Sequence, residues 1–318
     1  MIGGERTKED NGKVFDASRD NWVDRAAPNW TKPYLRLSRA DRPIGTWLLL
    51  LPCWWGLFLG ILYDQQFLLH DVWIFFGCAI GAFLMRGAGC TWNDIADRDI
   101  DHFVQRTKSR PIPSGQVKVL QATVWMVVQM ILASLILFSL NGTAITVGLA
   151  SILPVLIYPF AKRFTWWPQV FLGIAFNWGI LLAFSAHSNT FAWPAVLMYF
   201  GAISWTLFYD TIYAHQDRDD DALIGVKSTA RLFGNKTVAW LRVFIMISVI
   251  FMILSLTMFT DGIALIVSLL GIIAFAFHLI WQVFNFRVDD KNNLPSLFKS
   301  NRDAGLILTA FLFLATAI

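Results

Sequence analysis

Residues 119–161 read VLQATVWMVVQMILASLILFSLNGTAITVGLASILPVLIYPFA, and this stretch contains no Asp, Glu, Lys or Arg. A helix needs roughly 20 apolar residues to cross a bilayer. The stretch is therefore too long for one membrane helix and has the right length for two. Asn141-Gly142 lies near its middle and is a typical turn dipeptide. The sequence here predicts two membrane helices joined by a tight turn.

Uncharged stretches recur along the rest of the chain. Of its 318 residues, 56% are hydrophobic and 15% are charged, whereas soluble domains carry roughly 25% charged residues. This composition excludes a soluble globular domain and a disordered chain. We predict an all-α polytopic membrane protein, a bundle of nine transmembrane helices near residues 43–63, 72–93, 119–140, 143–161, 166–186, 192–213, 240–259, 262–284 and 303–318.

The basic residues indicate how the chain is oriented. All 26 Lys and Arg residues lie in the N-terminal segment or at the connections between spans 2 and 3, 4 and 5, 6 and 7, and 8 and 9. With nine spans, these five segments share one side of the membrane, which the positive-inside rule assigns to the cytoplasm. We therefore expect the N-terminus to be cytoplasmic and the C-terminus to lie outside.

The chain before the first span is polar. We predict a flexible tail over residues 1–33, followed by a transmembrane domain over residues 34–318. The segment up to Asp41 lacks an apolar signal segment and carries seven acidic residues, which transit peptides avoid. A bacterial cytoplasmic (inner) membrane is the expected location.

Two acidic motifs follow the second and sixth spans. The first contains Asn93, Asp94, Asp97 and Asp101, and the second contains Asp210, Asp217 and Asp221. If each helix continues through its motif, the spacing i, i+4, i+8 places Asn93, Asp97 and Asp101 on one helix face, with Asp94 flanking it. The spacing i, i+7, i+11 does the same for Asp210, Asp217 and Asp221. Carboxylates crowded on one face repel unless cations lie between them. Oxygen donors without His or Cys favour Mg²⁺ over zinc.

Basic residues lie beside the two motifs and extend this interpretation. Mg²⁺ commonly shares its ligands with a substrate phosphate, and Arg and Lys bind phosphate oxygens. A diphosphate site at the end of an apolar bundle favours a substrate with a charged head and a long apolar tail, such as an isoprenyl diphosphate. The basic residues are Arg86, Arg98, Arg106, Arg110, Lys162 and Arg163.

Several long motifs resemble those of the UbiA superfamily of intramembrane prenyltransferases. Asn93-Asp-x-x-Asp97-x-x-x-Asp101 and Asp217-Arg-Asp-Asp-Asp221 resemble its two aspartate-rich motifs. The flanking segments are most similar to the 4-hydroxybenzoate polyprenyltransferase branch. They read RADRPIG at 39–45, MRGAG at 85–89, RTKSRPIPSG at 106–115, YDTIYAHQD at 209–217 and IGVKSTA at 224–230.

The resemblance implies a helical bundle around a central cavity open to the lipid, with two Mg²⁺ ions bridging to diphosphate. The metal ligands it implies are Asn93, Asp97, Asp101, Asp217 and Asp221, with Asp94 and Asp210 as further catalytic carboxylates. The substrate-binding residues it implies are Arg39, Arg86, Arg110, Tyr158 and Lys162. Simpler roles stay open: Arg39 as an interface anchor, Lys162 as a topology charge, Tyr158 as a packing residue and His215 as a helix-end residue.

The expected activity is transfer of a polyprenyl group from polyprenyl diphosphate to 4-hydroxybenzoate, ortho to the hydroxyl, in ubiquinone biosynthesis. The partners are these two substrates and the lipid bilayer, and no nucleic acid is expected. A second hypothesis keeps the fold and changes the acceptor to another quinone precursor, a porphyrin side chain or a chlorophyll precursor. A third is an ion transporter, which predicts acids near the bilayer midplane, whereas both motifs follow the ends of spans.

Overall fold

The computed structural model describes residues 14, 17, 20–102, 107–223, 225–288, 290 and 293–318. Over these residues the chain is helical and contains no strand, as predicted. The helices are α1 Trp22–Ala26, α2 Lys32–Leu37, α3 Ile44–Asp64, α4 Leu69–Ala96, α5 Arg98–Asp101, α6 Val119–Phe138, α7 Gly142–Ala150, α8 Ile152–Ile157, α9 Ala161–Phe164, α10 Pro168–Asn177, α11 Gly179–Ser188, α12 Trp193–Ala214, α13 Arg218–Leu223, α14 Thr229–Phe233, α15 Thr237–Thr257, α16 Gly262–Asn285 and α17 Leu294–Ala315. Two 3₁₀ turns cover Tyr158–Phe160 and Gly234–Lys236.

Eight helical segments among the described residues are long and apolar enough to cross a membrane, and they match the first eight predicted spans. The turn predicted in the stretch 119–161 is confirmed. Asn141 caps α7 by accepting a hydrogen bond from the Ala144 N–H at 2.9 Å. The fourth span, Gly142–Phe164, is built from α7, α8, a 3₁₀ turn and α9. Prolines at 154 and 159 lack the N–H that a continuous helix needs, which explains the interruption.

The predicted ninth span corresponds to α17, which is not one of these eight segments. Its first half carries Lys299, Arg302 and Asp303, so only its later residues are uncharged. The helix begins nine residues before the predicted span, and its early turns pack inward: Leu294 and Leu297 are at most 2% exposed. The buried Asn301 accepts a hydrogen bond from Trp205 Nε1 at 2.9 Å. A ninth crossing and a central cavity open to lipid stay predictions.

The chain divides into two compact units, which are described separately. The first comprises Met1–Gly45 and Phe83–Ser134. Its larger apolar cluster joins Leu37 at the end of α2, Ile95 near the end of α4 and Ala122 in α6. This cluster fixes the segment after α2 against the end of α4, where the first acidic motif lies.

The second unit comprises Thr46–Ala82 and Leu135–Ile318. In its core, Trp55, Trp205 and Phe275 are fully buried. The Trp55 and Trp205 ring centroids lie 5.0 Å apart, and the Trp205 and Phe275 centroids lie 5.7 Å apart. Helix α12 packs against α10, α11, α15 and α17. It ends at the second acidic motif, so the core of this unit sets the position of that motif.

The predicted boundary at residues 33–34 falls inside α2. Part of the predicted tail is helical, since α1 covers Trp22–Ala26 and buries Val23 completely. The Trp22 Nε1 donates a hydrogen bond to the Ala40 carbonyl at 2.8 Å. Residues 1–13, 15, 16, 18 and 19 of the predicted tail lie outside the described residues.

A buried histidine in the second unit joins three helix ends. His187 Nδ1 lies 2.6 Å from Asp71 Oδ1, and its Nε2 lies 3.0 Å from Asp64 Oδ1. The side chains of His187 and Asp71 are 0% and 1% exposed. His187 therefore joins the end of α3 and the start of α4 to the end of α11.

We expect His187→Gln to lower the free energy of unfolding by about 3 kcal/mol, because it leaves the buried Asp71 carboxyl without its ring partner. Thermal or denaturant unfolding of the detergent-purified protein measures this. His70→Gln is the matched control, since His70 is exposed and directly precedes Asp71. Equal unfolding midpoints for the two variants would contradict a stabilising role for His187.

Candidate active site

The first acidic motif keeps helical spacing beyond the end of α4. The Asp97 N–H donates to the Asn93 carbonyl and the Asp101 N–H donates to the Asp97 carbonyl, both at 2.9 Å. Asn93, Asp97 and Asp101 are therefore one turn apart, as predicted from their spacing. Asp97 and Asp101 are 1% and 4% exposed. In contrast, the side chain of Asp99 is 83% exposed, so it lies off the buried face of the motif.

Two arginines form ion pairs with this motif. Arg39 Nη2 lies 2.5 Å from Asp94 Oδ1. Arg110 Nη1 lies 3.2 Å from the same oxygen and 2.9 Å from Asp101 Oδ2. Asp94 is fully buried, and both arginines are at most 8% exposed. Arg39 is thus a buried ion-pair partner of the motif, which argues against a role as an interface anchor.

Local backbone structure positions these two arginines. Arg39 follows α2 in the left-handed region, at φ 57°, and its Nη1 donates to the Arg36 carbonyl at 3.1 Å. Arg110 lies in a hydrogen-bonded turn in which its N–H donates to the Thr107 carbonyl at 2.9 Å. Thr107 Oγ1 in turn donates to the Asp101 carbonyl at 2.9 Å. The segment RPIPSG therefore folds back onto the first motif.

Arg86 lies two turns before Asn93 on α4, on the same helix face. Its guanidinium lies against Gly45, where an added Cβ would come within 2.5 Å of Nε. A side chain at residue 45 would therefore force the flexible guanidinium of Arg86 to shift. Arg106, a further basic residue of the sequence motif, lies outside the described residues.

The second motif differs from its predicted geometry. We assumed that the sixth membrane helix continues to Asp221, but α12 ends at Ala214 and α13 begins at Arg218. Acidic side chains are unfavourable at a helix C-terminus and favourable at an N-terminus. Asp219, Asp220 and Asp221 occupy the first turn of α13, which explains the break. The shared-face argument for Asp210, Asp217 and Asp221 is therefore wrong.

Part of the second motif nevertheless keeps helical spacing. The Asp221 N–H donates to the Asp217 carbonyl at 2.8 Å, and both residues are half-buried, as is Asp210. Arg231 Nη1 donates to the carbonyls of Asp221, at 3.2 Å, and of Val226. The short helix α13 thus keeps Asp217 and Asp221 one turn apart, and the hydrogen bonds of Arg231 hold the chain at and after its end.

His215 is the C-cap residue of α12, as expected for a helix-end residue. Its Nε2 lies 3.1 Å from Thr237 Oγ1. Burial, and secondarily the charge of Arg218, lower the pKa of His215 to about 4. The imidazole is therefore neutral near pH 7 and contributes no positive charge to the second motif.

Tyr158 and Lys162 lie at the interrupted end of the fourth span, on the 3₁₀ turn and on α9. The Lys227 N–H donates to the Lys162 carbonyl at 3.2 Å, and Lys227 Nζ donates to the Phe164 carbonyl at 3.3 Å. The connection that follows α13 is thereby tied to the connection that follows the fourth span. Tyr158 is half-buried.

The sequence analysis did not identify the buried residues that form hydrogen bonds with the connection after α13. Thr211 Oγ1 and Thr229 Oγ1 lie 2.7 Å apart, and the Thr229 N–H donates to Gln169 Oε1 at 3.3 Å. Gln169 is 4% exposed. Gln169 could have indicated this contact from the sequence, because an amide side chain at the start of a membrane helix needs a hydrogen-bond partner.

The first motif offers donors whose chemistry fits Mg²⁺. Asn93, Asp97 and Asp101 supply only oxygen, the ligand type that this ion prefers. Asp94 Oδ2 is buried and has no hydrogen-bond partner among the described residues. Within the described part of each unit, no three His, Cys, Asp or Glu side chains are grouped so that they could hold a metal.

Comparison with known proteins identifies the family. The model of the UbiA prenyltransferase family matches residues 49–315. The chain belongs to the UbiA prenyltransferase family. Together with the eight apolar helical segments, this makes the chain a multi-pass membrane protein.

Individual members of the family are similar over most of the chain. It is 45% identical, over 89% of its length and 74% of the relative's, to the mitochondrial 4-hydroxybenzoate polyprenyltransferase of Rattus norvegicus. It is 43% identical to the protein of the same name from Homo sapiens, over 94% of this chain and 79% of the relative. The fold is similar to a UbiA homolog from Archaeoglobus fulgidus bound to GPP and Mg²⁺, with TM-score 0.69, 20% identity and coverage of 90% and 100%.

Proposed function

We propose that this membrane protein transfers a polyprenyl group from polyprenyl diphosphate to 4-hydroxybenzoate, ortho to the hydroxyl, as a step of ubiquinone biosynthesis. The observation that carries the proposal is the 45% identity over 89% of the chain with a protein of that activity. The buried motif Asn93–Asp101, with its two paired arginines, supports it. The activity accounts for a charged site at the end of an apolar helix bundle.

Two Mg²⁺ ions accompany the diphosphate in this proposal. Asn93, Asp97 and Asp101 would hold one ion, and Asp217 and Asp221 the other. When bound, Mg²⁺ neutralises the negative charge that the leaving diphosphate carries. Support comes from the oxygen-only donors of both motifs and from the fold shared with a UbiA homolog whose structure contains GPP and Mg²⁺.

Basic side chains around the motifs bind and orient the diphosphate. Arg86 shares its helix face with Asn93 and Asp97, and Arg39 and Arg110 already contact the first motif. Lys162 lies on the connection tied to the second motif, and Tyr158 contributes to the wall of the substrate site. Guanidinium groups suit this role because their planar fork matches phosphate oxygens.

The reaction breaks the bond between the prenyl carbon and the diphosphate oxygen and forms a bond to the ring carbon ortho to the phenol. Diphosphate leaves with the bonding electron pair, and the electron-rich ring attacks the allylic cation. The ring proton then passes to a carboxylate of the motifs. Asp210 is the candidate beyond the metal ligands, because the buried Asp94 is already paired with Arg39 and Arg110.

We further propose that the chain resides in a bacterial cytoplasmic membrane, with the N-terminus and the motifs cytoplasmic and the C-terminus outside. Most of the 26 basic residues lie in the N-terminal segment or at alternate connections, which supports this orientation. Cysteine labelling from either side of sealed vesicles measures the orientation of each connection.

One experiment separates this activity from the alternatives. Membranes containing the protein are incubated with radiolabelled polyprenyl diphosphate, Mg²⁺ and 4-hydroxybenzoate, and the lipid-soluble product is quantified. We expect label on 4-hydroxybenzoate and none without Mg²⁺. Label transferred only to another quinone precursor or to a tetrapyrrole would show that this compound, and not 4-hydroxybenzoate, is the acceptor. Cation flux without any prenyl transfer would favour a transporter.

A further inference from the structure

A single guanidinium nitrogen in the first unit contacts two carboxylates of the first motif. Arg110 Nη1 lies 2.9 Å from Asp101 Oδ2 and 3.2 Å from Asp94 Oδ1. The side chain of Arg110 is 9% exposed, and those of Asp94 and Asp101 are 0% and 6% exposed. The charge of Arg110 is therefore poorly screened by water and acts strongly on both carboxylates.

The position of Arg110 conflicts with a metal at Asp101. On the proposed function, Asp101 is a Mg²⁺ ligand, yet Arg110 already donates to its Oδ2. A positive charge at this distance opposes the approach of a divalent cation to the same carboxylate. Arg110 and the metal therefore compete for Asp101.

Arg110 is also incompletely bonded where it lies. Its Nε is buried and has no hydrogen-bond partner among the described residues. Arg39, by contrast, binds both the Arg36 carbonyl, through Nη1, and Asp94, through Nη2. If Arg110 moves away, Asp94 keeps its second cation, whereas Asp101 becomes available. A diphosphate would offer Arg110 the paired oxygens that fit a guanidinium.

We propose that the guanidinium of Arg110 occupies the position of the metal ion at Asp101 until the prenyl diphosphate binds. Without substrate it neutralises Asp94 and Asp101, and it transfers to the diphosphate when metal binds Asp101. Arg110 thereby makes metal binding depend on prenyl diphosphate. Because coupling between ligands is reciprocal, the metal raises the affinity for diphosphate by the same factor. This inference rests on the proposed function and adds a positioning role to one of its residues.

The test measures Mn²⁺ binding by electron paramagnetic resonance on purified protein, without the aromatic acceptor. Each protein is titrated with Mn²⁺ alone and with a non-hydrolysable prenyl thiodiphosphate, after correction for protein-free titrations. For Arg110→Gln we expect Mn²⁺ alone to bind about tenfold more tightly than to wild type, and with the analogue about tenfold more weakly. If Arg110 competes with the metal, the change in Mn²⁺ affinity caused by Arg110→Gln reverses its sign when the analogue is added. A purely structural residue does not predict this reversal of sign.

Lys108→Gln is the matched control, because it removes a positive charge two residues before Arg110, at a side chain that is exposed. We expect it to leave both Mn²⁺ affinities within about twofold of wild type. Weaker Mn²⁺ binding by Arg110→Gln in both titrations, or equal changes in both variants, would overturn the proposal.

Arg110→Lys keeps the test decisive if Arg110→Gln does not fold. Lysine retains the charge but lacks the planar fork. We expect its Mn²⁺ affinity without the analogue to match wild type, and the gain on adding the analogue to be about tenfold smaller. A gain equal to wild type would overturn the transfer of residue 110 to the diphosphate.

These titrations are independent of the acceptor. Prenyl transfer to 4-hydroxybenzoate without the reversal of sign would refute only the role of Arg110. The reversal of sign without such transfer would refute only the acceptor in the proposed function.

Discussion

Asp97→Ala is expected to lower prenyl transfer by at least about a thousandfold, because charge neutralisation by a bound metal contributes several kcal/mol to such a reaction. Asp97 is 1% exposed and lies one turn from Asn93 and from Asp101. No neighbouring side chain on this face can replace its oxygens without movement of the helix. Initial rates with saturating Mg²⁺ and prenyl diphosphate measure the loss. Asp217→Ala is expected to have a comparable effect in the second motif.

Asp99→Ala is the control for Asp97→Ala. Asp99 lies in the same motif, but its side chain is 83% exposed and pairs only loosely, at 3.5 Å, with Arg98. We expect this variant to keep at least about half of the activity. Equal losses at residues 97, 99 and 217 would contradict the helical-face arrangement and would indicate a general need for negative charge in the connections.

Asp94→Asn is expected to give the second large effect, on stability. The substitution removes the carboxylate that pairs with Arg39 at 2.5 Å and with Arg110 at 3.2 Å. Breaking a buried ion pair from one side typically costs about 3–5 kcal/mol, because the remaining charge stays buried. Denaturant unfolding in detergent measures the total. Hydrogen exchange over residues 86–117, compared with exchange in the second unit, shows whether the loss is confined to the first unit.

A double-mutant cycle assigns this loss to the ion pair. Arg39→Gln combined with Asp94→Asn is expected to be less destabilising than the sum of the two single changes, because no unpaired charge remains at that contact. Asp99→Asn should change stability by at most about 0.5 kcal/mol, as is usual for an exposed pair. Additive effects at positions 39 and 94 would mean that the pair contributes nothing to folding.

Helix existence and the first motif could be predicted because both depend on local regularities. A run of about 20 apolar residues forms a membrane helix regardless of its neighbours. The spacing of Asn93, Asp97 and Asp101 follows from 3.6 residues per turn. The same argument failed for Asp210 and Asp221. An acidic segment at the end of α12 is more favourable at the start of a new helix, and this preference depends on orientation rather than on periodicity.

The first unit contains ion pairs that helical periodicity does not predict. The family resemblance implies that Arg39 and Arg110 bind the diphosphate, but it does not predict that both contact Asp94. Arg39 and Asp94 are 55 positions apart in the chain. Their contact depends on how the end of α2 packs against the end of α4, and no local pattern specifies that packing.

The sequence by itself determined the membrane class, the helical segments and the chemical character of the two motifs. Only the tertiary structure decided which charges are partnered, as in the contacts of Asp64 and Asp71 with His187. The physical reason is that these interactions act over different distances along the chain. Hydrophobicity and helical spacing act within one segment, whereas a buried charge is stable only beside a counterion that folding brings to it from another segment.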